Sequence, residues 1–252
     1  MRKGEILKGL QMSATSLQKQ FAVLVDPDDL NRVHLDQIAH LSEEAGVDFF
    51  LIGGSLLMEE ALNWGIRFLK EQTNLPVVLF PGNNLQISNE ADAILLLSLI
   101  SGRNPDLLIG QHVIAAPRIA RSGLEVIPTG YMLIDGGVAT SVHYMSNTQP
   151  IPRDKSDIAL ATALAGSQLG QKSLYLDAGS GAEKMVDNGM ISSIKDHIGS
   201  PLFVGGGIRS AQDVFDKGRA GADVVVVGNA IEKDPSLIIE MGAACKESST
   251  VR

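Results

Sequence analysis

The chain has 252 residues, 44% of them apolar and 20% charged, which is the length of one α/β barrel and enough apolar matter for a large core. Its formal net charge of −8 excludes the basic stripe that nucleic-acid binding requires, and the lone Cys245 excludes a disulfide framework or a cysteine metal site within one chain. No apolar run approaches the roughly 18–20 residues of a membrane span, and no apolar leader precedes a small-residue cleavage site. The expectation is a soluble, cytoplasmic protein with one domain over residues 1–252.

In chain order, an amphipathic helix is expected over about residues 3–19, with Ile6, Leu7, Leu10 and Leu17 near helical spacing. Apolar runs rich in β-branched residues then recur at FAVLVDP (21–27), FFLIGG (49–54), VVLFPG (77–82) and AILLLS (93–98). Four more follow: EVIPTGYMLI (125–134), of which only part is expected to pair, SLYLDAGS (173–180), LFVGGGI (202–208) and VVVVG (224–228). Continuous rather than alternating hydrophobicity marks strands buried on both faces, as in a parallel sheet. Stretches with helical spacing separate most of them: LNRVHLDQIAHLSEEAG, LLMEEALNWGIRFLKEQ, KSDIALATALAGSQLG and SAQDVFDKGRAG. Eight strands alternating with helices give a (β/α)₈ barrel.

Only ten residues, 83–92, lie between the third and fourth strands, too few for a usual crossover. Either a strand edge is misplaced or the third outer helix is missing. The longest irregular stretch, residues 135–153, follows the fifth strand and in a barrel lies over the active-site face. Its His143 is either a solvated loop residue or a phosphate contact or base. Trp64 and Cys245 read as structural.

Active sites of such barrels form at the C-terminal strand ends. Glycines close the last three strands: Gly179 and Gly181 after the sixth, Gly205, Gly206 and Gly207 after the seventh, and Gly228 before Asn229 after the eighth. Without a Cβ, such turns let backbone N–H groups approach an anion, so three in succession point to phosphate. Ser210 with Asp213 resembles a capping start, so a helix is expected just after GGGIR, its dipole favouring the same phosphate. Asp26 ends the first strand, poised for metal ligation or base catalysis rather than helix capping, while Asp28 and Asp29 read as surface or cap residues. Ser55 closes the second strand, either capping LLMEEAL or adding a hydroxyl to a hard cation. A sparse Asp26/Ser55 pair suits Mg²⁺, which takes few protein oxygens. Asp177 ends the sixth strand on the same side as Tyr175, by two-residue alternation.

The set VDPDDL, FFLIGGSLL, VVLFPGN, YLDAGSGA, LFVGGGIRS and VVVVGNAIEKDP, running from Phe21 to Pro235, resembles the geranylgeranylglyceryl phosphate synthase family, which includes bacterial heptaprenylglyceryl phosphate synthases. The resemblance implies a prenyltransferase that joins sn-glycerol 1-phosphate to a polyprenyl diphosphate, with Mg²⁺ on Asp26 and Ser55. The glycerol phosphate would lie against Tyr175, Leu176, Asp177, Ala178, Gly179, Ser180 and Gly181, the three glycines Gly205, Gly206 and Gly207, and Gly228 with Asn229. The resemblance also implies an irregular third helix, a larger-subunit branch marked by HYMSNTQPIPRDK, association into dimers or hexamers, and transient membrane contact for the lipid product. One departure is visible: the family's usual YLEAGSG glutamate is Asp177 here. On this reading Asp177 positions the glycerol hydroxyl and takes its proton, and the opening beside the missing helix lets the apolar tail out. The rival readings are an isomerase or thiamine phosphate synthase type of barrel and a non-catalytic phosphate-ligand protein.

Overall fold

The computed structural model describes residues 4–29, 31–56 and 61–249. Its centre is a closed barrel of parallel strands in sequence order: β1 (Gln20–Val25), β2 (Phe49–Ile52), β3 (Val77–Leu79), β4 (Ala93–Leu99), β5 (Glu125–Leu133), β6 (Ser173–Asp177), β7 (Leu202–Gly205) and β8 (Val224–Val227). Pairing of β1 with both β2 and β8 closes the ring. On β1, Phe21, Val23 and Val25 pack outward under the helices, while Ala22 and Leu24 belong to the barrel interior. Both faces are covered, which is why these strands read as unbroken apolar runs.

The outer helices are preceded by α1 (Glu5–Ser16). They are α2 (Arg32–Ala45), α3 (Leu62–Gln72), α4 (Gln111–Ser122), α5 (Ser141–Ser146), α6 (Ser156–Gln168), α7 (Asn188–Lys195), α8 (Ala211–Ala220), α9 (Asn229–Lys233) and α10 (Leu237–Ser248). Local chemistry sets their ends. The Asn31 side chain accepts from the Val33 amide to start α2, and Gly46 ends that helix in the left-handed region at φ 72°. Leu17, at φ 62°, stops α1 short of the expected residue 19. Ile6 and Leu10 of α1 plug the barrel interior from the N-terminal end, where Glu125, the first residue of β5, accepts from the Ile6 and Leu7 amides.

Two expectations change, and one choice left open by the sequence is decided. All of Glu125–Leu133 pairs, in register with β4 and then β6, so β5 is longer than expected. Residues 80–92 are all described and contain no helix; turns alone join β3 to β4, and the third outer helix is missing. The stretch 135–153 is not wholly irregular, because it contains α5 and a bridge from Ile134 to Ile151. The expected helical start at residues 57–60, and with it the capping role of Ser55, lies outside the described residues. Trp64 is structural: it packs on Phe68 at 5.4 Å, with the Arg32 guanidinium 4.8 Å above its ring.

Candidate active site

Every turn with expected chemistry emerges on the same end of the barrel. Below them lies an aromatic layer inside the barrel, with Phe203 stacked on Tyr175 at 5.7 Å and Tyr175 on Phe80 at 5.1 Å. Tyr131 of β5 joins it, 5.6 Å from Tyr175, as their direct pairing across β5 and β6 requires. This layer seals the interior and supports Asp177, one step further along β6.

Asp177 is held on both oxygens. The Tyr131 hydroxyl donates to Oδ2 at 2.6 Å, and the Gly179 amide donates to Oδ1 at 2.7 Å. Burial pushes its carboxyl above the ordinary aspartate value, although both hydrogen bonds and the nearby His143 pull the other way. Burial and the Asp177 charge hold the Tyr131 and Tyr175 hydroxyls well above their usual range, so both remain protonated donors. Gly206, at φ 85°, has to be glycine: an added Cβ would lie 2.7 Å from Asp177 Oδ1 and 2.7 Å from the Gly179 nitrogen. Gly205 is confined in the same way by Tyr175, whose hydroxyl would lie 2.5 Å from a Cβ there.

The phosphate side is assembled from the turns after β6, β7 and β8. Ser180 donates to the Asn229 side-chain oxygen at 2.9 Å, spanning the turn after β6 and the start of α9, beside Gly228. Gly181 and Gly207 complete these turns. At the α8 start, Ser210 and Asp213 form the expected capping box, and the Asp213 carboxylate accepts from the Arg209 and Ser210 amides at 3.0 and 2.9 Å. Those two amides, just before α8, serve the helix's own acid. The Leu176 side chain is fully buried in the layer between sheet and helices, away from the mouth. Ala178 lies in that same layer, so only their backbones border the site.

Asp26 and the Gly54–Ser55 turn lie side by side at the ends of β1 and β2. Asp26 Oδ1 accepts from the Asp28 amide at 3.1 Å, and a Cβ on Gly54 would lie 2.9 Å from Asp26 Oδ2. The turn that carries Ser55 therefore lies directly against the Asp26 carboxylate through Gly54. Among the described residues, no three His, Cys, Asp or Glu side chains are placed to hold a metal. That donor chemistry fits a hard cation completed by substrate and water, and not a closed structural site.

From Ser55 an apolar cavity of about 300 Å³ runs beneath residues 80–87 and between β4 and α4, where the third helix would stand. Ile87, Leu96, Leu107, Ala115 and Ile119 line it, as does Tyr131, whose hydroxyl bonds Asp177. Burial holds His112 in its wall below the ordinary imidazole value. His143 is not a free loop residue. Its Nδ1 accepts from the Thr140 amide at 2.9 Å as the capping partner that starts α5. Cys245 is buried, its thiol pushed up to about 12, consistent with a structural role.

Sequence reasoning missed Tyr131 and Gln86. Tyr131 carried a usable signal, since the alternation argument applied to Tyr175 on β6 applies equally on β5. Gln86 carried none, because its partners lie on other turns.

The sequence profile of the PcrB family matches residues 14–246. A geranylgeranylglyceryl phosphate synthase from Chitinophaga pinensis is 52% identical over 233 residues, which span 92% of this chain and 92% of that protein. One from Spirosoma linguale is 48% identical over 242 residues, 96% of each. Among solved structures, (S)-3-O-geranylgeranylglyceryl phosphate synthase from Thermoplasma acidophilum, in complex with its substrate sn-glycerol-1-phosphate, superposes with a TM-score of 0.91 at 31% identity. That match covers 98% of this chain and 100% of the other.

Proposed function

We propose that this chain, which belongs to the PcrB family, is a prenyltransferase that joins sn-glycerol 1-phosphate to a polyprenyl diphosphate, forming a prenylglyceryl phosphate ether and diphosphate. One observation carries the reading: the apolar cavity runs from the Gly54–Ser55 turn, which lies against the Asp26 carboxylate, to Tyr131, whose hydroxyl bonds Asp177 beside the glycine turns. A long apolar tail, a diphosphate and a small phosphorylated alcohol each have a matching surface, in the order that transfer requires. A barrel handling only small polar substrates would leave the cavity without an occupant.

In this reading the glycerol phosphate is gripped by the turns of Gly179, Gly206, Gly207 and Gly228 with Ser180 and Asn229. The prenyl tail fills the cavity and its diphosphate lies at Asp26 and Ser55. Mg²⁺ bound there would neutralise the diphosphate charge and ease its departure. The allylic C1–O bond breaks with its electron pair going to diphosphate, and the terminal hydroxyl of the glycerol phosphate bonds to that carbon. Asp177 accepts the hydroxyl proton. Each of its oxygens has a second lone pair beyond the Tyr131 and Gly179 bonds, and its raised pKa strengthens it as a base. Alignment of alcohol and allylic carbon supplies much of the rate.

No helix among the described residues is long and apolar enough to cross a membrane. The proposal places the reaction in the cytoplasm, with transient membrane contact where tail and product partition, and in a dimer or hexamer. Incubation with Mg²⁺, radiolabelled glycerol 1-phosphate and prenyl diphosphates of several lengths tests the activity. Label should pass into an extractable ether as diphosphate is released. No transfer to any prenyl length would sink the reading.

A further inference from the structure

We infer that Gln86 is a positioning residue for the diphosphate end of the site, fixing the Gly54–Ser55 turn from a segment that replaces the missing third helix. The inference rests on the prenyl-transfer reading, and four observations meet in it. First, Gln86 is only 1% exposed, although it lies in a connection built from turns. Second, its amide is used on both ends. Oε1 accepts from the Gly54 amide at 3.3 Å and from the Gly82 amide at 3.2 Å, while Nε2 donates to the Gly54 carbonyl at 2.8 Å. One side chain thus ties the turn after β2 to the turn after β3.

Third, those turns touch at backbone level. A Cβ on Gly82 would overlap the Gly54 carbonyl oxygen and lie 2.8 Å from that of Ser55. The opposite face of Gly54 lies against the Asp26 carboxylate. A shift of Gly54 therefore moves both Asp26 and Ser55. Fourth, neighbours of Gln86 line the apolar cavity: Asn83, Asn84 and Ile87. The segment thus forms part of the tail's wall while its buried amide holds the oxygens that would face the diphosphate. An ordinary barrel would support these turns by packing a helix against β3; here a buried side chain supplies that support by hydrogen bonding.

The donor pattern makes glutamine specific. Two N–H groups and one C=O converge on it, which calls for an acceptor and a donor on one planar group. Gln86→Met keeps length and removes all three hydrogen bonds. Gln86→Asn keeps the planar amide without adding charge but draws it back by one methylene, so it weakens the three bonds more gently and serves where the methionine variant does not fold. Calorimetric titration with Mg²⁺ and inorganic diphosphate, and separately with glycerol 1-phosphate, reads the effect without turnover.

By the usual effect of removing a side chain that orients metal ligands, diphosphate affinity should fall about 10-fold or more in Gln86→Met and less in Gln86→Asn. The KM for prenyl diphosphate and the Mg²⁺ half-saturation should rise with it, and glycerol 1-phosphate affinity should hold. Parental diphosphate affinity in a folded variant overturns the inference. An equal loss for both ligands also overturns it, since that makes Gln86 a general stabiliser. A parent that binds diphosphate with Mg²⁺ yet transfers no prenyl group breaks the prenyl-transfer reading instead, and the affinities still decide the role of Gln86.

Discussion

Asp177 shows how far one side chain depends on its surroundings. Its carboxyl is drawn onto the Tyr131 hydroxyl and the Gly179 amide, and burial leaves it more basic than an exposed aspartate. Asp177→Asn removes the proton acceptor and should lose at least about 10²-fold in kcat/KM, the lower end for loss of a general base. Asp177→Glu should stay active, its longer arm reaching further toward the glycerol hydroxyl; steady-state kinetics on both variants decide. Because the folded carboxyl titrates above 3.8, the acid limb of kcat/KM should lie above that value and disappear with the asparagine. The stability sign is opposite to the catalytic one. The folded state holds this proton more tightly than the unfolded chain, so the contribution is present below 3.8 and lost as pH rises through the folded value. Gly206→Val would force a side chain into φ 85° and against Asp177 Oδ1, so glycerol 1-phosphate binding should weaken more than prenyl diphosphate binding. A greater loss for the prenyl substrate would mean that the two phosphates have been assigned to the wrong ends. Asp26, Ser55, Asp177 and the glycines were legible because a strand's C-terminal end can be read from its run of residues. Alternation on β5 could also have placed Tyr131 on the interior face, but not its bond to Asp177, which is 46 residues away and joined to it only by the closed barrel. The alternation that aligns Tyr175 with Asp177 also turns the Leu176 side chain toward the helices, leaving its backbone alone to border the site.

Among the elements, the connection from β3 to β4 has the largest functional consequence. Ten residues could not hold a helix, so the gap was visible by counting; that it roofs an apolar cavity depends on how α4 lies against β4, which local sequence does not set. Ala115, on the cavity side of α4, is 8% exposed. Ala115→Trp should fill much of the space, raising KM for long prenyl diphosphates far more than for short ones and leaving glycerol 1-phosphate affinity unchanged. Identical kinetics across prenyl lengths would place the tail elsewhere. The α8 start was legible in the same local way: Ser210 and Asp213 form the expected capping box, with the Asp213 carboxylate accepting from the Arg209 and Ser210 amides.

Across the whole molecule, chemistry gathers at one end of the barrel and closure at the other, where α1 seals the interior. Glu125 is buried and accepts both the Ile6 and Leu7 amides, standing in for a side-chain cap that Gly4 lacks. Glu125→Ala would leave buried amides unpaired at about 1–3 kcal/mol. That corresponds to a Tm lower by roughly 2–12 °C in a domain of this size, with kcat retained because the active end is untouched. Thermal melts and kinetics on one preparation check both. The same contact orders events on the ribosome. The plug is synthesised first, but the acid that fastens it follows 118 residues later, roughly 6–24 s at ordinary elongation rates. Until then the apolar face of α1 has no seat, so the first helix made is among the last to dock, and a chain stalled before β5 should lose that helix to protease while the finished barrel keeps it.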